Sequence, residues 1–320
     1  MSQEEETNVD MERFQAALKC LAERHYALPQ QQRLQNVFNS VLAQFLVARS
    51  DGNQEEGRGL VLLGGTRSGK SHSVKELCKG FAAQETPLGS SFERTVLRIS
   101  VRPGMTWRHL GSALLTALRF PSDLSHRSSD QIWTRVEGLL ERKGIFIICF
   151  DEFQHIAHQK KAVEILAILD SLKDLMKRPE WPILPIVTGV PRLLDTLNLS
   201  PELTALLEPA KFDDINYDDV SIEEIDGIVM QYADLAKVDV SRIREEEIYR
   251  RMIHATSRRW GRLIELVIHM LAFSQVEGRS DIDSLSLAKT FRRWTGASDG
   301  ANPFLVSNPY RIDVAKLFPI

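Results

Sequence analysis

Residues 59–81 read GLVLLGGTRSGKSHSVKELCKGF. A short apolar run with the character of a strand leads into Gly64-Gly65-Thr66-Arg67-Ser68-Gly69-Lys70-Ser71. Val74, Leu77, Cys78 and Phe81 then follow the i, i+3, i+4, i+7 spacing of an amphipathic helix. Few folds accommodate that succession. The loop is a full match to G-x-x-x-x-G-K-[ST], with strand and helix on the sides where a phosphate-cradling loop needs them. Its glycines let consecutive backbone N–H groups turn inward, and the helix beginning near Gly69 adds its positive dipole end. Lys70 would reach the β- and γ-phosphates, and the Ser71 hydroxyl would be a ligand of Mg²⁺. The stretch from Gly64 to His72 is therefore the candidate site for ATP with Mg²⁺.

Four more segments have strand character: TVLRIS (95–100), IFIICF (145–150), ILPIVT (183–188) and KFDDI (211–215). Several are continuously apolar, as strands buried on both faces of a parallel sheet must be. Helical patterns separate them: Trp107, Leu110, Leu114 and Leu118 form one stripe, and Leu166, Leu169, Leu172 and Met176 another. Strands alternating with helices predict an α/β core with a five-stranded parallel sheet.

The strand 145–150 runs directly into Asp151 and Glu152 within GIFIICFDEFQHIAHQ. Two readings of this stretch compete. In the first, the strand lies beside that of the phosphate loop, Asp151 orients Mg²⁺ and Glu152 is the general base for an attacking water. In the second, Asp151, His155 and His158 start a metal site at i, i+4 and i+7 of a helix. The zinc motif with that spacing has two histidines at i, i+4 with a glutamate between, and here His-x-x-His stands alone. The first reading has its partner already, in the loop about eighty residues upstream. Cys149 is a small buried hydrophobe on either reading.

After about residue 216 the strand signal stops. Residues 208–226 hold eight acids and one lysine, which predicts an exposed connection. Helices follow: one capped by Ser221 and carrying Ile222, Ile225, Val229 and Tyr232, with Glu224 completing a capping box, one over 245–256, one carrying Trp260, Leu263, Ile264, Val267 and Leu271, and one after Asp283. The expected division is an N-terminal helical segment (1–24), an α/β core (25–218), a helical lid (219–296) and an irregular tail (297–320).

At 43% hydrophobic and 26% charged residues, the composition is that of a water-soluble globular protein. No apolar run approaches the length of a membrane span. The first twelve residues carry five acids and no base, unlike a signal or transit peptide. Three scattered cysteines without a CxxC pair suit a reducing cytoplasm rather than a disulfide framework or a zinc knuckle. With a net charge of −3, contact with nucleic acid needs a local basic patch.

With loop and acidic pair in order, the chain resembles an AAA+ ATPase. ILPIVTG then ends its strand with Thr188 where that family places the polar sensor-1 residue. ATSRRWGRLIELVIHML resembles the lid helix carrying the sensor-2 arginine, most simply Arg262, with Arg258 and Arg259 as rivals. Within AAA+ proteins the layout is similar to the TniB/TnsC group of transposition regulators, on RHYALPQQQRLQNVFNSVL, DEFQHI, IVTGVPRLLDTL and the single compact lid, over about residues 20–295. The resemblance implies an ATP-dependent homo-oligomer, a ring or helical filament on double-stranded DNA, that links the target to a transposase and a target-selection protein. One departure stands out: SPELTALLEPAKF has Leu206 and Leu207 where an arginine finger is usual. Either Arg178 or Arg192 takes that role or hydrolysis is slow, as suits a regulatory switch.

DNA contact would use Arg98, Arg102 and Arg108 around the second strand and Lys160 and Lys161 after the acidic pair, by charge alone. Three other functions share the same core: a replication initiator or helicase loader, a signalling or secretion ATPase that binds no nucleic acid, and a non-hydrolysing nucleotide-dependent scaffold. The 24 residues after 296 are too few for the winged helix that initiators carry, and an intact Glu152 disfavours the scaffold.

Overall fold

A computed structural model describes residues 11–24, 26–50, 57–83, 95–120 and 126–318. In chain order its elements are α1 (Met11–Ala22), α2 (Pro29–Ser50), β1 (Gly59–Gly64), α3 (Lys70–Ala83), β2 (Val96–Ser100), α4 (Trp107–Ala117), α5 (Ser129–Arg142) and β3 (Ile147–Asp151). Then come α6 (Ala162–Met176), β4 (Leu184–Gly189), α7 (Leu193–Leu197), α8 (Pro201–Ala205), β5 (Leu207–Phe212), α9 (Asp219–Ala236), α10 (Glu246–Ala255), α11 (Trp260–Val276) and α12 (Ser284–Thr295). They form two units. One is Pro29–Asp213; the other joins Met1–Leu28 to Asp214–Ile320. Residues 1–10 of the predicted N-terminal helical segment lie outside the described residues.

The first unit holds a five-stranded sheet in the order β2-β3-β4-β1-β5, every pairing parallel. Side chains of alternate residues supply its two faces. Leu60, Leu62, Ile147, Cys149, Leu184 and Ile186 pack with α2 and α3. Val61, Leu63, Ile148, Phe150 and Val187 pack with α4 to α8. Because both faces are covered, β1 and β4 are buried at every residue, which accounts for their unbroken apolar sequences. The chain leaves β1 towards one face and β4 towards the other. A crevice therefore opens at their carboxyl ends, where open α/β sheets bind ligands.

The fifth strand differs from the predicted KFDDI. It is Leu207–Phe212, LEPAKF, with only Leu207, Ala210 and Phe212 buried. It pairs on one side only, with β1, so half its residues face solvent and Pro209 is tolerated, as proline is on edge strands. That partial burial hides it from a hydrophobicity reading. The acidic stretch 208–226 is correspondingly no simple connection: it begins inside β5 and ends inside α9.

The second unit is helical. Ile225, Val229 and Tyr232 of α9, Ile248 and Met252 of α10, Leu263, Val267 and Leu271 of α11, and Leu287 of α12 share one core with Leu21 of α1. Phe14 of α1 stacks on Phe273 with ring centroids 4.3 Å apart, and the Tyr232 hydroxyl donates to the Arg24 carbonyl at 3.0 Å. The described part of the N-terminal segment thus shares the core of the C-terminal helices. The described part of the tail after α12 holds only short 3₁₀ turns and is anchored. Asn302 is fully buried, its amide donates to the Ala288 carbonyl at 2.8 Å, and Phe318 packs on Phe291 and Trp294.

Two caps illustrate what sequence spacing can and cannot resolve. Ser221 does not cap α9. Asp218 does, its carboxylate accepting from the Ser221 N–H at 2.8 Å, while Ser221 sits in the first turn. Both residue types are good N-caps, so composition alone could not choose. Asp283 caps α12, the helix expected to follow it, accepting from the Ser286 N–H at 2.8 Å and the Ser286 hydroxyl at 2.7 Å. Asp283→Ala is expected to destabilise the protein by about 1 kcal/mol, read as a shift in the urea unfolding midpoint at constant slope. An unchanged midpoint would mean that the cap contributes nothing. Among the described residues no helix is long and apolar enough to cross a membrane.

Candidate nucleotide site

The phosphate loop bridges the carboxyl end of β1 and the amino end of α3, and its backbone explains its glycines. A Cβ on Gly64 would fall 2.7 Å from the Ser68 hydroxyl and 2.9 Å from Phe212 Cβ. Gly69 has φ +95° and Arg67 φ +63°, both in the left-handed region. The Ser68 N–H closes the turn on the Gly65 carbonyl at 3.2 Å. Lys70 is only 4% exposed, and its ammonium donates to the Gly64 and Gly65 carbonyls at 2.8 and 2.9 Å. Thr66, Arg67, Ser71 and His72 are exposed.

This donor set fits a polyphosphate. The Ser68 hydroxyl is buried without a hydrogen-bond partner, the first turn of α3 holds no acid, and that turn's N–H groups have no partners within the helix. A buried ammonium and a row of backbone donors call for an anion.

Asp151 ends β3, but β3 is not the neighbour of β1 that the sequence suggests. β4 lies between them, and Thr188 of β4 stands opposite Leu62 of β1 in the ladder. A crossover through a helix need not return to the adjacent position, so strand order was not readable from spacing. Thr188 is fully buried, and its hydroxyl donates a short hydrogen bond to Asp151 Oδ1. The Glu152 N–H donates to the same oxygen at 3.1 Å. Asp151 Oδ2 faces the Arg98 guanidinium at 3.9 Å. The same guanidinium donates to the Ser71 carbonyl at 3.3 Å, linking the acid to the first turn of α3. Asp151, Thr188, Arg98 and Ser71 therefore meet at one end of the sheet. The oxygen donors of Asp151 and Ser71 suit a hard divalent cation.

Glu152 adopts φ +56° and starts a 3₁₀ turn over Phe153–Ala157. The turn ends before His158, which is exposed, while His155 is half-buried. The i, i+4, i+7 face that the metal reading needs is not formed. Among the described residues no three His, Cys, Asp or Glu side chains gather as metal ligands. Cys149 is fully buried, and burial pushes its thiol well above the usual range. Glu152 Oε2 accepts from the Gln154 side-chain amide, a partner that no motif announced.

The five basic residues considered for DNA separate. Arg98 is committed to Asp151 and Ser71. The Lys160 ammonium is tied to the Met105 and Ile156 carbonyls at 2.6 and 3.1 Å, and burial lowers its pKa. Arg108 Nε donates to the Arg127 carbonyl at 3.2 Å. Arg102 and Lys161 are exposed. A groove of about 480 Å³ along α5 is lined by Arg127, Arg135 and Arg142, with Asp130 as its one carboxylate. Arg135 lies 4.5 Å from the Phe120 ring centroid, and Arg142 Nε donates to the Gly138 carbonyl at 3.0 Å. Sequence reasoning missed this cluster, although Arg135 and Arg142 share a helix face at i, i+7.

The sensor-2 candidates lie in the helical unit. Arg259 pairs with Asp214, and Arg258 holds the Ile215 carbonyl and the Asn216 side chain at 2.8 and 3.0 Å. Arg262 lies 3.9 Å over the Phe318 ring and donates to the Ser257 hydroxyl at 3.2 Å. Of the two finger candidates, Arg178 is ion-paired with Glu137 and Glu180, whereas Arg192 is exposed just beyond β4.

The fold has counterparts among known proteins. The solved structures similar to the chain include Cdc6p from Pyrobaculum aerophilum, with TM-score 0.59 and 15% identity over 86% of this chain and 70% of that one. The Aeropyrum pernix ORC1 protein, solved in complex with DNA, gives TM-score 0.58 and 17% identity over 84% and 66%. The Aeropyrum pernix ORC2 protein, solved as ADPNP–ADP complexes, gives 0.57 and 15% over 86% and 71%. At such identities the likeness concerns the fold, the α/β phosphate-loop core expected from the sequence. No curated protein sequence matches the chain. The family described as Bacterial TniB protein matches residues 36–216, a span that includes the loop, both carboxylates and Thr188. With more than half its length inside that match and an AAA+ core around the site, the chain belongs to the TniB family.

Proposed function

We propose that the protein is an ATP-hydrolysing, DNA-binding regulator of transposition that works in the cytoplasm as a homo-oligomer. The convergence of Lys70, Ser71, Asp151, Thr188 and Glu152 on the carboxyl edge of one sheet carries the ATPase part. When bound, Mg²⁺–ATP supplies the phosphoryl group to be transferred. The chain's residues then divide the work. Lys70 and the loop N–H groups hold phosphate oxygens, and Ser71 and Asp151 hold the cation. Glu152 takes the proton of the attacking water, and Thr188 fixes the orientation of Asp151. Hydrolysis is slow, because a regulator must keep its ATP-bound assembly intact while the transposase and a target-selection protein are recruited.

Family membership and the arginine groove on α5 support the DNA part. A groove with three arginines and one carboxylate suits a phosphodiester backbone, bound by charge and without reading sequence. A ring or helical filament on double-stranded DNA would place many such grooves along one duplex.

Protein mixed with a non-hydrolysable ATP analogue and duplex DNA is expected to form rings or filaments visible by electron microscopy. Monomers indifferent to both ligands would overturn the proposal. Nucleotide-dependent assembly that ignores DNA would favour a signalling ATPase. Arg135→Ala and Arg142→Ala should each reduce the slope of log affinity against log salt by about 1, leaving ATP affinity unchanged. Unchanged slopes would remove the groove from the DNA interface.

A further inference from the structure

We propose that Gln154 is the positioning residue for Glu152, tying the general base to the exit of β4 so that one chosen carboxylate oxygen remains open to water. The inference rests on the hydrolysis proposed above and concerns how its base is held. Gln154 stands two residues beyond Glu152, in the first turn of the 3₁₀ segment. Its amide nitrogen donates to Glu152 Oε2, and its amide oxygen accepts from the Val190 N–H at 3.4 Å. The orientation of that amide is fixed by chemistry. A carboxylate can only accept and a backbone N–H can only donate, so the flipped amide would satisfy neither.

Two further features fit a clamp rather than a chance contact. A Cβ on Gly189 would fall 2.5 Å from the Gln154 amide oxygen and 2.7 Å from a Leu193 methyl, so a side chain there would push the Gln154 amide aside. Glu152 itself has φ +56°, a left-handed conformation that a residue with a side chain keeps only where its surroundings impose it. The end of β4 thereby holds both acids. Thr188 bonds Asp151 through its hydroxyl, and Val190 holds Glu152 through Gln154. With Oε2 occupied, Oε1 is left to accept the proton of water. Pro191 and Arg192, which follow Val190, are exposed. Anything that moves this segment reaches the base through a single side chain.

Two measurements test the clamp, one of them independent of catalysis. In nucleotide-free protein, Gln154→Ala should speed hydrogen exchange of the Val190 amide roughly tenfold or more. In the same variant kcat should fall roughly ten- to a hundredfold, with KM and the affinity for a non-hydrolysable ATP analogue within about twofold. Gln154→Glu keeps an acceptor for Val190 but loses the donor to Glu152, so exchange should stay slow while kcat falls. Gly189→Ala should lower kcat in the wild-type background and add little in the Gln154→Ala background, the non-additivity expected of groups sharing one contact. An active wild type with unchanged or faster turnover in Gln154→Ala would overturn the role of Gln154 alone. A wild type that binds the analogue but never hydrolyses ATP would overturn the hydrolysis reading, and the role of Gln154 with it.

Discussion

Lys70→Ala is expected to weaken ATP binding by roughly two to three and a half orders of magnitude. The lysine is almost fully buried, and its ammonium already bridges two carbonyls of the loop it serves. Removing one partner of a buried charged interaction costs about 3–5 kcal/mol, which converts to roughly 10² to 10³·⁵ in dissociation constant. Titration with a fluorescent ATP analogue would measure it, with circular dichroism checking that the sheet survives. Lys70→Arg keeps the charge but offers a planar fork in place of a compact ammonium, so it should restore little. Binding within tenfold of wild type in Lys70→Ala would show that the loop is not the phosphate site. On the proposed function, in which assembly on DNA requires bound nucleotide, assembly should fail in parallel.

Glu152→Gln should separate binding from chemistry. The amide is nearly isosteric but cannot take a proton, and general-base catalysis typically contributes about 10²–10⁴-fold. Turnover is expected to drop by that factor while the affinity for ATP changes little. Assemblies on DNA should then form with ATP itself and persist. The contrast with Lys70→Ala is diagnostic: one variant cannot load, the other loads and cannot fire. Turnover above about a tenth of wild type in Glu152→Gln would assign the base to another group. Loss of ATP affinity would mean that Glu152 holds the nucleotide rather than the water.

The two substitutions fall on the parts of the site that differ most in how they are built. Lys70 lies within eight consecutive residues whose geometry is set by their own glycines and the helix they open. Glu152 depends on a turn, a neighbouring strand and an amide from Gln154. Weakly destabilising changes in β4 should therefore disturb catalysis before they disturb binding.

The same contrast explains which features could be read without coordinates. Residues adjacent in the chain, or repeating with the helix or strand period, carry their structure locally. The phosphate loop, the buried strands β1, β3 and β4, the stripes of α3, α4 and α6, and the acidic pair at the end of β3 all belong here. Their signals are strong because burial on both faces of a parallel sheet demands continuous apolar sequence. The edge strand β5 falls short of that demand, with Glu208, Pro209 and Lys211 facing solvent, and its bounds were displaced accordingly. Local competition blurred the start of α9, where Asp218 and Ser221 are both competent caps and the fold uses the aspartate.

Long-range pairings left no mark on the sequence. The hydrogen bond from Thr188 to Asp151 spans 37 residues, and Arg98 reaches Asp151 from another strand. Val190 meets Gln154 across 36 residues. The first and third depend on β4 lying beside β3 and the second on β2 lying along its other side, an order set by how the helical crossovers pack on the two faces of the sheet. The chain's own spacing thus specified an α/β phosphate-loop protein with a lysine and two acids in place. Packing of the crossovers alone chose the partners that orient those acids, because strand order is a property of the whole sheet and of no segment within it.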